Sequence, residues 1–352
     1  MSLSTKTMEA IVCFGPKDYR FEKSIHRPVA GLNELVIKIT ACGICTSDCK
    51  CWQGAKMFWG DEPSGTPVFV KPPVVPGHEF FGTVVEIGEG AAEHFSDTPI
   101  KLGERIIAEN IVPCTRCLYC RSGKYWMCEV HHIFGNSNCP PNPEEISLED
   151  SAIIEPLSCA IHAVQRGDIQ LDDLVVIAGA GPLGLFMTQV ARLKTPKKLV
   201  VIDLMEERLE LARKFGADVT INLSNGVNAV ELVKQLTNGY GCDVYIETTG
   251  APGGVVQGLN MIRKLGRFVE FSVFGSDTTV DWSIIGDRKE LDLRGVHLAP
   301  YCYPIAIDLL KRGLVTSKGI VTHTYPLSEW DEAIAMACSM KSIKVLMKPN
   351  HK

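Results

Sequence analysis

Hydrophobic positions change their rhythm along the chain. From residue 9 to 106 they come in short runs that read as strands. Glu34-Leu-Val-Ile-Lys-Ile-Thr40 alternates well enough to bury one face, Gly82 to Gly88 is a second strand, and Lys101 to Ile106 is a turn leading into another. Ala41 to Asp48 is small and glycine-bearing, so it reads as a loop that ends a strand and presents Cys45, Ser47 and Asp48. Residues 52–73, rich in Gly, Pro and aromatics, read as a long surface loop, and residues 135–147 as a polar one. Ser147-Leu-Glu-Asp150 carries an N-cap pattern ahead of an apolar helical stretch containing Glu155-Pro156 and ending at Gly167.

Beyond this point the rhythm is that of a parallel sheet. Leu174 to Ala178 and Leu199 to Ile202 are continuous apolar runs, as buried parallel strands require. Val219–Leu223, Asp243–Glu247 and Arg267–Val273 read as further strands. Helical patterns separate them: Glu206–Phe215, closed by Gly216, then 226–237 and 252–264. The alternation predicts an α/β, doubly wound domain. From about residue 296 it stops. Tyr303–Lys311 is a helix, Ile320–Tyr325 a strand, Ser328–Met340 a helix and Ile343–Lys348 a last strand. The expected division is residues 1–157, a nucleotide domain at 158–296, and a segment 297–352 that returns to the first domain.

The first crossover carries chemistry. Gly179, Gly181 and Gly184 stand in G-x-G-x-x-G spacing between strand and helix. The first permits a tight turn, the second lets backbone approach a pyrophosphate, and the third lets helix pack on strand. The helix N-terminus offers free N–H groups to that pyrophosphate. Asp203 ends the next strand, nineteen residues after Gly184 (203 − 184), where a carboxylate would bind an adenosine ribose. Together these favour a dinucleotide site over a plain βαβ turn. A carboxylate repels a 2′-phosphate, so Asp203 favours NAD over NADP; Arg208, a helical turn on, tempers that preference.

Cysteines supply the second theme. Cys114, Cys117, Cys120 and Cys128 have the spacing of a closed four-thiolate site for Zn²⁺, within a lobe at 112–129. The last interval is too long for the common iron–sulfur pattern. Cys45 with His78-Glu79 offers a thiolate, an imidazole and a carboxylate, the three-ligand set of a catalytic zinc with one position open. Singly, each of the three also suits an ordinary buried cysteine or a polar turn. Glu155 is either a surface acid of its helix or a buried ligand, and His162 reads as a packed core histidine.

Composition narrows the class. The 352 residues carry a net charge of −5 with no Lys/Arg block, which argues against nucleic acid or an anionic membrane as partner. The start, Met-Ser-Leu-Ser-Thr-Lys-Thr, lacks the apolar core of a signal peptide, so clustered cysteines among the fourteen point to metal rather than disulfides, and the cytoplasm is the expected place. The apolar stretch Leu174–Ala191 contains the glycine turn and Pro182 and reads as strand-turn-helix, not a membrane span.

Gly43-Ile-Cys45-x-Ser47-Asp48, Gly77-His78-Glu79, the four-cysteine lobe, Glu155-Pro156 and the glycine motif with Asp203 together resemble the zinc-containing medium-chain dehydrogenase/reductase family over nearly the whole chain. The look is that of the sorbitol branch of polyol dehydrogenases. Phe274-Gly-Ser-Asp-Thr-Thr-Val-Asp-Trp-Ser and Tyr301-Cys-Tyr-Pro are similar to the erythritol/threitol dehydrogenases in particular. The resemblance implies a GroES-like β-barrel catalytic domain, a Rossmann domain, a cleft at their junction and a homo-oligomer, tetramer or dimer. It implies that Cys45, His78 and Glu79 hold a catalytic zinc, with Glu155 as a neighbouring or exchanging ligand and Ser47 passing a proton outward. It puts Gly179, Gly181, Pro182, Leu183, Gly184, Asp203, Arg208, Val273 and His297 against NAD. The activity implied is hydride transfer from a secondary hydroxyl of a small polyol to NAD. Threonine- or butanediol-type dehydrogenases and a non-catalytic NAD-binding protein are the alternatives.

Three positions depart from the family. Lys50 stands where a histidine is frequent; it either ends the proton relay, binds a polyol hydroxyl, or is simply solvated. Leu298-Ala299 replaces an arginine-tyrosine pair, which argues against a sorbitol-sized substrate. The interval Gly135 to Glu155 is shorter by more than a dozen residues, through a loop deletion or a segment missing from the chain as written.

Overall fold

A computed structural model describes residues 7–94, 98–130, 132–133 and 142–349. The loop at 135–147 therefore lies outside the described residues up to 141. The chain divides into two compact units: residues 1–155 with 320–352, and residues 156–319. The return to the first unit comes at residue 320, not 297. Helix Tyr303–Lys311 stays in the second unit, with Tyr303, Ala306 and Ile307 buried.

The first unit is built on a five-stranded sheet in the order Val321–Pro326, Lys344–Lys348, Leu35–Ile44, Glu79–Ile87, Arg105–Ile107. The C-terminal strand is antiparallel to Leu35–Ile44, with Val345 opposite Ile44 and Leu346 opposite Gly43. On the other side Gly43 pairs with Glu79 and Cys42 with Phe80. Strands Thr7–Gly15 and Asp18–His26 form a separate antiparallel pair. Val84, Ala91, Ile100, Ile106 and Ala108 make one core. Ile11, Cys13, Tyr19 and Ile334 make another, where Trp52 and Trp330 meet edge to face at 5.7 Å.

The segment after Cys45 is not a loop. Thr46–Trp52 is a helix, capped by Cys45 with the Asp48 carboxylate accepting from the Cys45 N–H at 2.8 Å. Its residues are indifferent helix formers, so the cap fixes the helix where propensity does not. The stretch 52–73 likewise holds short helical turns at Lys56–Trp59 and Glu62–Ser64. Trp59 ties it back by donating Nε1–H to the Cys51 carbonyl at 2.8 Å.

The second unit is a six-stranded parallel sheet in the order Val219–Asn222, Lys198–Asp203, Leu174–Ala178, Cys242–Glu247, Ile262–Glu270, Asp292–Gly295. By chain position this is 3-2-1-4-5-6, the doubly wound Rossmann arrangement. Every residue of Leu174–Ala178 is buried. The fifth strand starts and ends earlier than its apolar pattern suggests. The sixth is an exposed edge strand without an apolar run, and the sequence reading omits it. Among the described residues no helix is long and apolar enough to cross a membrane.

Candidate active site and metal centres

Sheet register assembles the first cluster. Strand Leu35–Ile44 delivers Cys45 just past its end, and Glu79 opens the neighbouring antiparallel strand opposite Gly43. The chain thus returns to the same end of one sheet after 33 positions (78 − 45). One ligand atom each from Cys45, His78 and Glu79 lies within 4.8 Å of the others. Gly43 is needed here, because a Cβ would run into the Glu79 carboxylate. Gly77 has φ +104°, and a Cβ there would stand 2.9 Å from the Cys42 sulfur.

The charges around this cluster suit a cation. Glu79 is 2% exposed and is paired with Lys344, which is 3% exposed. Lys344 arrives from the C-terminal strand and also donates to the Ile44 carbonyl at 3.1 Å. Asp48 Oδ1 stands 3.7 Å from His78 Nδ1. Burial alone would depress the His78 pKa; Asp48, Cys45 and Glu155 overcome it and carry it well above the ordinary value. Burial pushes the Asp48 carboxyl up, against the pull of His78. A thiol, an imidazole and a buried carboxylate converging on one point are a donor set that a divalent cation fits.

Glu155 lies outside the three-residue ligand group. It is buried in the first turn of helix Ile154–Gly167, where Pro156 is tolerated, and it accepts from Asn110 Nδ2 at 2.9 Å. Ser47 and Lys50 are half-buried on the helix that Cys45 caps. Met57 is exposed and Phe58 half-buried in the following turn. In the second unit, Ala299 is buried, and the Leu298 carbonyl meets Nδ1 of half-buried His162 at 2.8 Å. The sequence reading missed Lys344 and Asn110. Neither belongs to a motif: Lys344 reaches the cluster through sheet pairing, and Asn110 reaches Glu155 from the bend before Ile111–Val112.

The second cluster is the four-cysteine lobe. Sulfur atoms of Cys114, Cys117, Cys120 and Cys128 lie within 4.8 Å of one another, as free thiols. Cys117 caps the short helix Leu118–Arg121 and sits 3.4 Å from the Cys120 sulfur. Backbone N–H groups of Cys120 and Glu129 pull its thiol down to about 6, while burial and the neighbouring thiols push that of Cys120 up. The lobe is anchored inward by Tyr125, whose hydroxyl donates to buried Glu109 at 2.5 Å.

Glu109 makes a measurable prediction. Burial pushes its carboxyl up from 4.5 to about 7, and the Tyr125 hydrogen bond offsets this only in part. The folded state therefore binds the proton more tightly than the unfolded chain. No penalty exists below pH 4.5; it grows as the unfolded chain ionises and is complete above pH 7. Glu109→Gln keeps an acceptor for Tyr125 and removes the ionisation. Its unfolding free energy in urea should gain about 2 kcal/mol on the wild type between pH 5 and pH 8. Parallel pH profiles for the two proteins would show that Glu109 does not titrate here.

In the second unit the glycine loop is shaped as the spacing implies. Gly179 has φ +104°, and a Cβ there would stand 2.6 Å from Thr248 Oγ1. A Cβ on Gly184 would strike the Gly179 carbonyl, so helix Pro182–Leu193 lies close on its strand. Gly181 caps that helix with open space beside it, and Pro182 and Leu183 follow in its first turn. Asp203 accepts from the N–H groups of Ala180, at 2.6 Å, Leu204 and Met205. Arg208 is half-buried in the first turn of helix Glu206–Lys214. Val273 follows strand Ile262–Glu270, and His297 follows strand Asp292–Gly295. These positions gather at the carboxyl edge of the sheet, where open α/β sheets bind ligands.

A nucleotide-type sheet in one unit and a Cys-His-Glu cluster in the other define a metal-dependent dehydrogenase. Comparison with known proteins gives the family. Residues 31–183 match the alcohol dehydrogenase GroES-like domain, and residues 182–312 match the zinc-binding dehydrogenase domain. The erythritol/L-threitol dehydrogenase of Mycolicibacterium smegmatis is 45% identical, over 97% of this chain and 98% of its own. The structure of Bacillus subtilis 2R,3R-butanediol dehydrogenase aligns with TM-score 0.83 at 26% identity, over 98% of this chain and 100% of that one. An Escherichia coli CFT073 alcohol dehydrogenase solved with NADH aligns with TM-score 0.84 at 26% identity, over 97% and 99%. The chain belongs to the zinc-containing medium-chain dehydrogenase/reductase family, with a GroES-like domain and a Rossmann-type domain, and is an enzyme of that class.

Proposed function

We propose that this enzyme oxidises a secondary hydroxyl of a four-carbon polyol of the erythritol/threitol class to the ketose, with NAD as acceptor. The observation that carries it is the assembled Cys45, His78 and Glu79 cluster, joined to 45% identity with an erythritol/L-threitol dehydrogenase. Cys45, His78 and Glu79 would hold one zinc, near Glu155, and Cys114, Cys117, Cys120 and Cys128 a second, structural one. Bound there, zinc supplies Lewis acidity toward a substrate hydroxyl and NAD supplies the hydride acceptor. The chain's own groups do the rest. Asp48 holds His78, Lys344 holds Glu79, and Ser47 passes the substrate proton outward. Asp203 would take the adenosine ribose beside the glycine loop, with Arg208, Val273 and His297 flanking the nucleotide. Family likeness further suggests a cytoplasmic homo-oligomer, tetramer or dimer.

Lys50, on the helix that Cys45 caps, would hold the hydroxyl next to the reacting one. It also disfavours a substrate amino group, which argues against threonine. Leu298 and Ala299 stand in sequence where sorbitol-type enzymes carry an arginine-tyrosine pair, and neither side chain can hydrogen-bond a longer polyol. A buried hydroxyl without a partner costs roughly 1 to 3 kcal/mol, about one or two decades in specificity. The expected order of kcat/KM is tetritols above xylitol above sorbitol. Lys50→Ala should lower it more for tetritols than for 2-butanol. Sorbitol equal to the best tetritol would refute the size argument, and equal losses on both substrate types would remove Lys50 from substrate binding. A butanediol-type activity is the second reading, favoured by the Bacillus subtilis structure, and 2,3-butanediol belongs in the same panel.

A further inference from the structure

Two thiols that the chemistry above does not use meet in the first unit. Cys49 lies on helix Thr46–Trp52 and is buried; Cys338 caps the C-terminal end of helix Trp330–Ala337 and is exposed. The two helices pack through the Trp52–Trp330 contact at 5.7 Å, and both tryptophans meet Tyr19, Trp52 edge to face and Trp330 stacked. At the other end of Trp330–Ala337, Cys338 meets Cys49: the two hydrogen-bond each other through their side chains, and neither is in a disulfide. They are 289 residues apart in sequence (338 − 49).

We propose that Cys338 and Cys49 form a reversible oxidation site, taking a small peroxide as oxidant and closing a disulfide that pins the helix bearing Ser47, Asp48 and Lys50 to the C-terminal helix. The roles follow from exposure. Cys338 is open to solvent, and the hydrogen bond from Cys49 lowers its pKa, the condition for a thiolate nucleophile. Cys49 is buried, so it is shielded from peroxide and reacts only with its oxidised partner. The Cys338 thiolate attacks one oxygen of hydrogen peroxide; the O–O bond breaks, hydroxide leaves and a sulfenic acid forms. The Cys49 sulfur then attacks the sulfenic sulfur. The S–O bond breaks, and water departs with the Cys49 proton. Two electrons pass from the thiol pair to the peroxide, and an external dithiol reverses the step.

The test treats the metal-loaded full chain with hydrogen peroxide, alkylates the remaining thiols and maps peptides without reduction. The expected result is a cross-linked pair, Cys49 to Cys338, lighter by two hydrogens and lost on dithiothreitol treatment. It should be absent from Cys338→Ser. In Cys49→Ala, Cys338 should instead be trapped as sulfenic acid by dimedone. Thermal midpoints of the reduced variants near the wild type show that both still fold. Wild-type Cys338 passing to sulfinic acid without the cross-link would overturn the proposal. So would disulfides confined to Cys114, Cys117, Cys120 and Cys128.

Discussion

Mild chelation should silence the enzyme while leaving it folded. Cys45, His78 and Glu79 offer three ligand atoms, so an ion held there would keep a position open to solvent species and to chelator. The four-thiolate site has no such position, and its ion should leave more slowly. Loss of the second ion should then be a folding event, because the lobe has little core of its own. Leu118, Met127 and Val130 are exposed, and among the four ligands only Cys128 is buried. Apparent binding energies of structural zinc run to about 10 kcal/mol or more near neutral pH, well above what those side chains could replace. The measurement follows activity, zinc content and near-UV circular dichroism together through a chelator titration. Activity should fall with the first zinc per chain, and the thermal midpoint should drop only with the second. Inactivation and unfolding that coincide at every chelator concentration would refute two sites of different lability.

Much of this architecture is legible because the parallel sheet writes itself as unbroken apolar runs. Leu174–Ala178 and Lys198–Asp203 are buried on both faces and need no alternation to be recognised. What escaped is what burial does not mark. The edge strand Asp292–Gly295 is polar and exposed, held by backbone pairing to Ile262–Glu270. Helix Thr46–Trp52 is set by one capping contact, so its composition reads as a loop. The return of the chain at residue 320 rather than 297 has the same cause: helix Tyr303–Lys311 is amphipathic in either unit, and only packing decides where it belongs.

The candidate site divides along the same line. Its ligand types were visible, because Cys45, His78-Glu79 and the four-cysteine lobe are local motifs with chemical meaning. Their counter-charges were not. Lys344 is 265 residues from Glu79 (344 − 79) and reads as an ordinary strand residue. Parallel pairing of Lys344 with Val321, and Val345 standing opposite Ile44, bring it to the cluster. Asn110 likewise belongs to no motif and reaches Glu155 from a bend between two strands.

Lys344→Met should be the most damaging single change outside the ligands themselves. Lys344 and Glu79 form an ion pair with both partners at most 3% exposed. Removing one partner leaves an uncompensated buried charge, at a cost of about 3 to 5 kcal/mol. The Glu79 carboxylate can relieve that cost only by taking up a proton or turning away, and either loses it as a ligand. Stability and kcat/KM should therefore fall together, with zinc content at the open site falling too. The double variant Lys344→Met, Glu79→Gln separates the two effects. With no charge left unpaired it should recover most of the stability, measured by urea denaturation, while activity stays low because the carboxylate is gone. Lys344→Arg keeps the charge and should retain more of both than Lys344→Met. A Lys344→Met protein of wild-type stability and full zinc content would show that Glu79 does not depend on this partner.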